Sequence, residues 1–181
     1  MSSAFADRPR GRDGGGTLPS SPSVFIALGS NLGDSEAILE EAFARLATLS
    51  DHPLLRSSLH RTEPVDCPPG SPPFLNAAAG LVPSAGLTPE GLLALLQGWE
   101  REAGRRPKVV LNEARPLDLD IIAFGTEVRN TPLLTIPHPR ATRRRFVLAP
   151  LAEIAPGLVL PGERRTVGEI LRAWTQDAGA V

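Results

Sequence analysis

The sequence predicts an α+β fold, and three observations carry that expectation. Apolar runs of strand length recur along it, two amphipathic helical stripes separate them, and Gly, Pro, Asn and Asp mark the junctions. Val24-Phe25-Ile26-Ala27-Leu28 is a continuous apolar run ending at Gly29 and reads as a buried strand. From Ser35 onward, Ile38, Leu39, Ala42, Phe43 and Leu46 fall on one helical face. Leu54–Arg61 and Phe74–Val82 read as two strands, separated by a proline-rich loop from Glu63 to Pro73. The second helix has Thr88 as its cap, Pro89 in its first turn and Gly104 at its end. Its apolar stripe is Leu92, Leu95, Leu96, Trp99 and Ala103, and Asp118–Phe124 then supplies a fourth strand.

The order β-α-β-β-α-β is that of a ferredoxin-like split β-α-β sandwich, an antiparallel sheet with helices on one face. Phe146–Ile154 and Val167–Trp174 add a small C-terminal helical lobe. Residues 1–22 hold Asp13-Gly14-Gly15-Gly16 and Pro19-Ser20-Ser21-Pro22 without any hydrophobic period. They predict a disordered tail, which leaves residues 23–181 as one folded domain.

Composition narrows the function. The chain has 181 residues, 41% hydrophobic and 22% charged, enough to bury a core without staples. A formal net charge of −1 offers no broad footprint for nucleic acid, so any anion site must be local. A single cysteine, Cys67, excludes a disulfide framework and a cysteine metal cluster. No apolar run approaches the roughly 18–20 residues that span a bilayer, and the N-terminus lacks a secretory pattern. The expectation is a cytoplasmic monomer that binds neither nucleic acid nor membrane.

Two carboxylates open the fourth strand, in Asp118-Leu119-Asp120-Ile121-Ile122. Residues i and i+2 of a strand share a face, so both acids project together while Leu119 turns into the core. Their Cα atoms would lie roughly 6.5–7 Å apart, and inward-leaning side chains could hold two cations about 3.5–4 Å apart. Hard oxygen ligands of this kind suit Mg²⁺. A bare Asp-x-Asp also occurs as a solvated strand start. Asp is poorly suited to strands, however, and Arg115 stands just upstream, where it can hold a phosphate.

Ile136-Pro137-His138-Pro139-Arg140-Ala141-Thr142-Arg143-Arg144-Arg145-Phe146 gathers four arginines and a histidine. Guanidinium forks match phosphate oxygens, and a neutral histidine can donate to them as well. Such cations combined with paired acids are what phosphoryl-type transfer uses. The bland alternative is a solvated basic surface leading into a helix. No Walker-type glycine loop is present, so a nucleotide reading does not come from a P-loop.

Four segments occur in a telling order. They are Ala27-Leu28-Gly29-Ser30-Asn31-Leu32-Gly33-Asp34, then Arg61-Thr62-Glu63-Pro64 with Phe74-Leu75-Asn76-Ala77-Ala78, then Arg115-Pro116-Leu117-Asp118-Leu119-Asp120-Ile121-Ile122, and last Ile136-Pro137-His138-Pro139-Arg140. As a set they resemble the hydroxymethyldihydropterin pyrophosphokinases of folate biosynthesis, from about Val24 to the C-terminal helix. The resemblance implies transfer of a diphosphate from ATP to 6-hydroxymethyl-7,8-dihydropterin, with AMP leaving. It implies that Asp118 and Asp120 bind two Mg²⁺ bridging the ATP phosphates, with Asp118 also close to the pterin. Arg105, Arg115, His138 and Arg144 would contact the triphosphate. Gln97, Glu100, Ile121 and Thr135 would line the nucleotide site. Asn76 would bond the pterin's amide-like edge, helped by the stretch Thr62, Glu63, Pro64, Val65 and Asp66. Phe74 and Phe146 would sandwich the ring, though either could equally be a core aromatic. Gly29-Ser30-Asn31 reads as a structural turn at the strand end.

The chain departs from the family pattern where Asn112-Glu113-Ala114 replaces a Trp-Gly-Pro-like stretch, and where Pro107, Leu111 and Leu133 stand in place of arginines. Apart from the resemblance, two other functions stay open: a non-catalytic RNA-binding module, and another Mg²⁺-dependent phosphotransferase or nuclease using the same acids. Absence of Tyr and only 4% aromatics weigh against the first. Formation of AMP, not ADP, separates the family reaction from most kinases.

Overall fold

The computed structural model describes residues 21–65, 67–105 and 113–178. Asp66, Pro107, Leu111, Asn112 and residues 1–20 of the expected tail lie outside them. At the centre of the sheet is β1 (Val24–Ser30), the apolar run of the sequence, buried on both faces. β4 (Phe74–Leu81) and β5 (Asp118–Phe124) flank it, each antiparallel to it. Two short pieces, β2 (Leu55–Arg56) and β3 (His60–Thr62), pair antiparallel with the outer edge of β4. The order across the sheet is therefore β2-β4-β1-β5.

Alternation along β1 divides the core in two. Val24, Ile26 and Leu28 pack with Leu39, Ala42, Phe43 and Leu46 of α1 (Ser35–Ala47) and with Leu92 and Leu96 of α2 (Pro89–Glu102). Phe25 and Ala27 point the other way, into Val147, Leu148 and Leu151 of α3 (Arg145–Ile154) and Val167 and Ile170 of α4 (Val167–Ala178). The first two helices share one face, as the pattern predicts, and the C-terminal helices close the opposite one. Among the described residues, no helix is long and apolar enough to cross a membrane.

Helix ends follow the sequence signals. The Thr88 hydroxyl accepts from the Gly91 N–H at 3.0 Å, and Gly104 follows α2 at φ +97°, a conformation that favours glycine. Thr166 and Glu169 bond reciprocally at the start of α4, a capping box.

Three expectations need correction. The single strand expected over Leu54–Arg61 is broken at Ser57. Arg56 pairs with Ala79 and His60 with Asn76, so three residues face two, which is a bulge. The Ser57 hydroxyl accepts the Ala78 N–H at 2.8 Å and makes that break tolerable. Within α2, Leu95 is 39% exposed whereas Glu100 is 6% exposed, so the buried line runs Leu92-Leu96-Glu100. Finally, β1 continues through Gly29 and Ser30, which are strand and not turn. The sequence pattern also missed a small hairpin of β6 (Arg129–Asn130) with β7 (Thr135–Ile136), and the 3₁₀ turn Ala141–Arg143.

The bulge is latched to the end of α3. The Ser58 N–H and hydroxyl donate to the Glu153 carboxylate at 2.9 and 2.8 Å, and His60 Nε2 lies 3.0 Å from it. The His60 bond first, then the Ser58 bonds, hold the Glu153 carboxyl below its usual range. A folded pKa below the unfolded one stabilises the protein above about pH 4.3, and that contribution is lost as pH falls through the folded value. Glu153→Gln is expected to cost less than about 1 kcal/mol of stability at pH 7, for so exposed a latch, and so to lower the melting temperature slightly. The difference should vanish in acid; an unchanged difference there would show that the latch does not titrate.

Candidate active site

The sheet register lays out the site in rows. Asn76 of β4, Gly29 of β1 and Asp118 of β5 are neighbours across three strands, and Ala78, Ala27 and Asp120 form the next row. Asp118 and Asp120 thus face the same way as Asn76, while Leu119 is buried on the other face. A Cβ on Gly29 would stand 3.2 Å from Asn76 Oδ1 and 3.9 Å from the Asp118 Cβ. The glycine therefore leaves a floor between an amide and a carboxylate.

Above this floor, between the sheet and α3, lies a cavity of about 430 Å³. Its lining includes Arg115, Arg140, Arg143, Arg144 and Arg145 with Glu63, Asp118 and Asp120, and also Thr62, Val65, Cys67, Phe74, Asn76 and Phe146. Five arginines against three acids give the lining an excess of positive charge. The cations and the aromatic rings meet: the Arg115 guanidinium lies 5.8 Å from the Phe74 ring centre, and the Arg144 guanidinium 5.4 Å from that of Phe146.

Asp118 is gripped from two sides, by Arg105 Nη1 at 3.0 Å and Arg115 Nη2 at 3.3 Å. Even so, burial first and the neighbouring Asp120 second push its carboxyl above the usual Asp range, against the pull of Arg115, Arg105 and Arg144. Arg105 is itself anchored to Glu100, whose Oε1 also accepts the Leu119 N–H at 2.8 Å. The His138 imidazole faces Asp120, with Nε2 3.9 Å from Oδ2. Burial first, and then Arg144 and Arg140, lower its pKa against the opposing Asp120. The Arg140 N–H donates to His138 Nδ1 at 3.2 Å, which leaves Nε2 as the protonated nitrogen of the neutral ring. Burial and Arg140 likewise lower Arg144, as clustered cations that repel one another should.

Of the residues singled out from sequence, Thr62, Glu63, Val65, Phe74, Asn76, Arg115, Asp118, Asp120, Arg144 and Phe146 line this one cavity. Arg105, Glu100 and His138 stand behind the two aspartates through the contacts above. Pro64, Gln97, Ile121 and Thr135 are not part of the wall. Gln97 is exposed on α2, Ile121 is buried under α1 and α2, Thr135 lies half-buried in β7, and Asp66 is outside the described residues.

Two participants were missed. Trp174 of α4 lines the cavity and donates its indole N–H to the Thr142 carbonyl at 3.3 Å, tying α4 to the arginine-rich turn. Its only signal in the sequence was a large aromatic at a half-exposed helical position. Asn31 lies beside the cavity and bonds the backbone of Arg115. An Asn directly after a buried strand was the available hint.

The family model described as 7,8-dihydro-6-hydroxymethylpterin-pyrophosphokinase (HPPK) matches residues 25–156. The chain is 40% identical over 158 residues to the 2-amino-4-hydroxy-6-hydroxymethyldihydropteridine pyrophosphokinase of Bacillus subtilis, covering 86% of this chain and 92% of that one. The Pseudomonas aeruginosa protein of the same name is 38% identical over 151 residues, with 83% and 90% covered. Among solved structures, Plasmodium falciparum HPPK-DHPS with pteroate aligns at a TM-score of 0.65 and 14% identity, over 87% of this chain and 44% of that one. This chain spans less than half of that protein, and the likeness there is one of fold.

Proposed function

The chain belongs to the 7,8-dihydro-6-hydroxymethylpterin-pyrophosphokinase family, and on that premise we propose that the cavity between the sheet and α3 is where its two substrates meet. The protein is an ATP-dependent pyrophosphokinase of folate biosynthesis, acting on hydroxymethyldihydropterin. The row Asn76-Gly29-Asp118 carries the assignment of the site: it sets an amide for a heterocycle beside a carboxylate for the reacting end, with glycine keeping the floor clear.

On the heterocycle side, Asn76 Nδ2 donates to the Thr62 hydroxyl at 2.7 Å, which orients the amide so that its second N–H and its carbonyl can meet the pterin edge. Phe74 and Phe146 offer the flat ring apolar faces, with the backbone around Val65 beside them. On the phosphate side, Arg115 Nε is a buried donor without a partner among the described residues, a cost that a phosphate oxygen would remove. Arg105, Arg144 and the neutral His138 complete the cationic and donor set. Gln97, Glu100, Ile121 and Thr135 stay on the nucleotide side of this reading.

The donor set of the β5 acids fits magnesium: two hard carboxylates, with water and phosphate oxygens left to fill the coordination shell. Asp118 and Asp120 would hold two Mg²⁺, which when bound neutralise charge on the phosphate oxygens. In the reaction the pterin hydroxymethyl oxygen attacks the β-phosphorus of ATP. The new O–Pβ bond forms as the bond between Pβ and the oxygen retained by AMP breaks, and the alcohol gives up its proton. Asp118 is the carboxylate this reading places nearest to receive it. The strand order, with β2 and β3 together forming one edge, supports a ferredoxin-like sandwich as the scaffold.

The test is turnover of ATP with 6-hydroxymethyl-7,8-dihydropterin and Mg²⁺, resolving AMP from ADP. Pterin-dependent AMP is expected; ADP alone, or no turnover with intact MgATP binding, would overturn the reading. In the same assay Phe146→Ala is expected to raise the KM for pterin about tenfold, from lost ring contact, with a smaller change for ATP. An unchanged pterin KM would remove Phe146 from the pterin wall.

A further inference from the structure

We infer that Asn31 is a positioning residue that holds the phosphate-side arginine and the pterin-side loop in one fixed relation. The inference rests on the function proposed above. Asn31 follows β1 directly and is 5% exposed. Its Oδ1 accepts the Arg115 N–H at 2.9 Å, and its own backbone N–H donates to the Arg115 carbonyl at 3.1 Å. Its Nδ2 donates to the Pro72 carbonyl at 3.1 Å. One planar amide thus joins two segments that lie 84 and 41 residues away in the chain.

Both segments enter the cavity at once. Arg115 reaches Asp118 at 3.3 Å, and Pro72 lies two residues before Phe74, whose ring sits under the Arg115 guanidinium. The loop before Phe74 is rich in proline, and Pro68, Pro69, Pro72 and Pro73 have no backbone N–H to donate. These positions offer only carbonyls, and the one at Pro72 is held by the Asn31 amide. Arg115 needs the opposite, an acceptor for its N–H. The Asn amide carries an acceptor and a donor on one neutral planar group, short enough to serve both from the strand end. A displacement of about 1 Å between reacting groups can cost on the order of 10²-fold in rate, which is why a residue touching neither substrate can matter.

Two variants separate the two bonds. Asn31→Asp keeps an acceptor for the Arg115 N–H but turns a carboxylate oxygen on the Pro72 carbonyl. Asn31→Ala loses both bonds. Steady-state kinetics for each substrate would be paired with calorimetric titration of a non-hydrolysable MgATP analogue and of the pterin, on variants shown to be folded by circular dichroism. For Asn31→Asp the expected result is pterin KM and Kd raised about tenfold, with nucleotide values within about threefold of wild type. Asn31→Ala is expected to weaken both ligands and to lower kcat about 10²-fold. A residue serving only general stability would move both substrates together in both variants, and that outcome overturns the inference. So would an Asp variant that matches wild type for pterin. If wild type binds both ligands yet forms no AMP, the proposed reaction fails, and the titrations alone still decide the role of Asn31.

Discussion

Asp120→Ala is expected to reduce pterin-dependent AMP formation about 10³-fold or more while the protein stays folded. The fold should survive because the Asp120 side chain contributes little to it. Its backbone pairs with Ala27 whatever the side chain, and the carboxylate is 39% exposed and faces His138 Nε2 at 3.9 Å. Its removal also relieves Asp118 of a like charge, one of the causes that raise the Asp118 carboxyl. Stability should therefore change by no more than about 0.5 kcal/mol, the usual range for such a site. Turnover should not survive, because the proposed second hard-oxygen ligand and the partner of His138 are lost together. Paired measurements of kcat/KM and of the denaturation midpoint check both halves. Turnover within tenfold of wild type would sink the assignment of this acid; a collapsed midpoint would recast Asp120 as a structural residue.

That pair of acids was legible in the sequence because only a strand's period of two is needed to put Asp118 and Asp120 on one face. The α2 boundaries were legible for a similarly local reason, since Thr88, Pro89 and Gly104 act within one turn of themselves. What escaped depends on partners distant in the chain. The break at Ser57 exists because its hydroxyl can take the Ala78 N–H across the sheet, and nothing in the apolar pattern of Leu54–Arg61 changes there. The β6–β7 hairpin is two residues per strand, too short to show a period. Trp174 and Asn31 act through carbonyls and N–H groups 32 and 84 residues away. The burial of Glu100 escaped for another reason: charge on a helix reads as a solvated face, yet here it completes the buried line after Leu92 and Leu96.

Glu100 therefore makes the second large prediction: Glu100→Gln should remain folded yet lose turnover by about 10–10²-fold, whereas Glu100→Ala should lose both activity and about 2–4 kcal/mol of stability. Burial, ahead of the opposing Leu119 bond and Arg105, raises the Glu100 pKa in the folded protein. A raised folded value means that the neutral form is favoured: its stabilising contribution is present in acid and is lost as pH rises through that pKa. Ionised Glu100 is thus a cost at neutral pH, and its neutral isostere Gln should cost little there while still accepting the Leu119 N–H. Ala cannot accept it, so a buried donor at the start of β5 is stranded between Asp118 and Asp120. The ion pair adds less to that loss than a fully buried one would, since Arg105 is 31% exposed. The difference falls on catalysis, because without the charge of Glu100 the Arg105 guanidinium is left to Asp118 alone and is drawn toward the acid proposed to serve the substrates. Chemical denaturation with kcat for both variants tests this. Full turnover in Glu100→Gln would show that Asp118 suffices to place Arg105, and an unaltered midpoint in Glu100→Ala would show that another group reaches the Leu119 N–H.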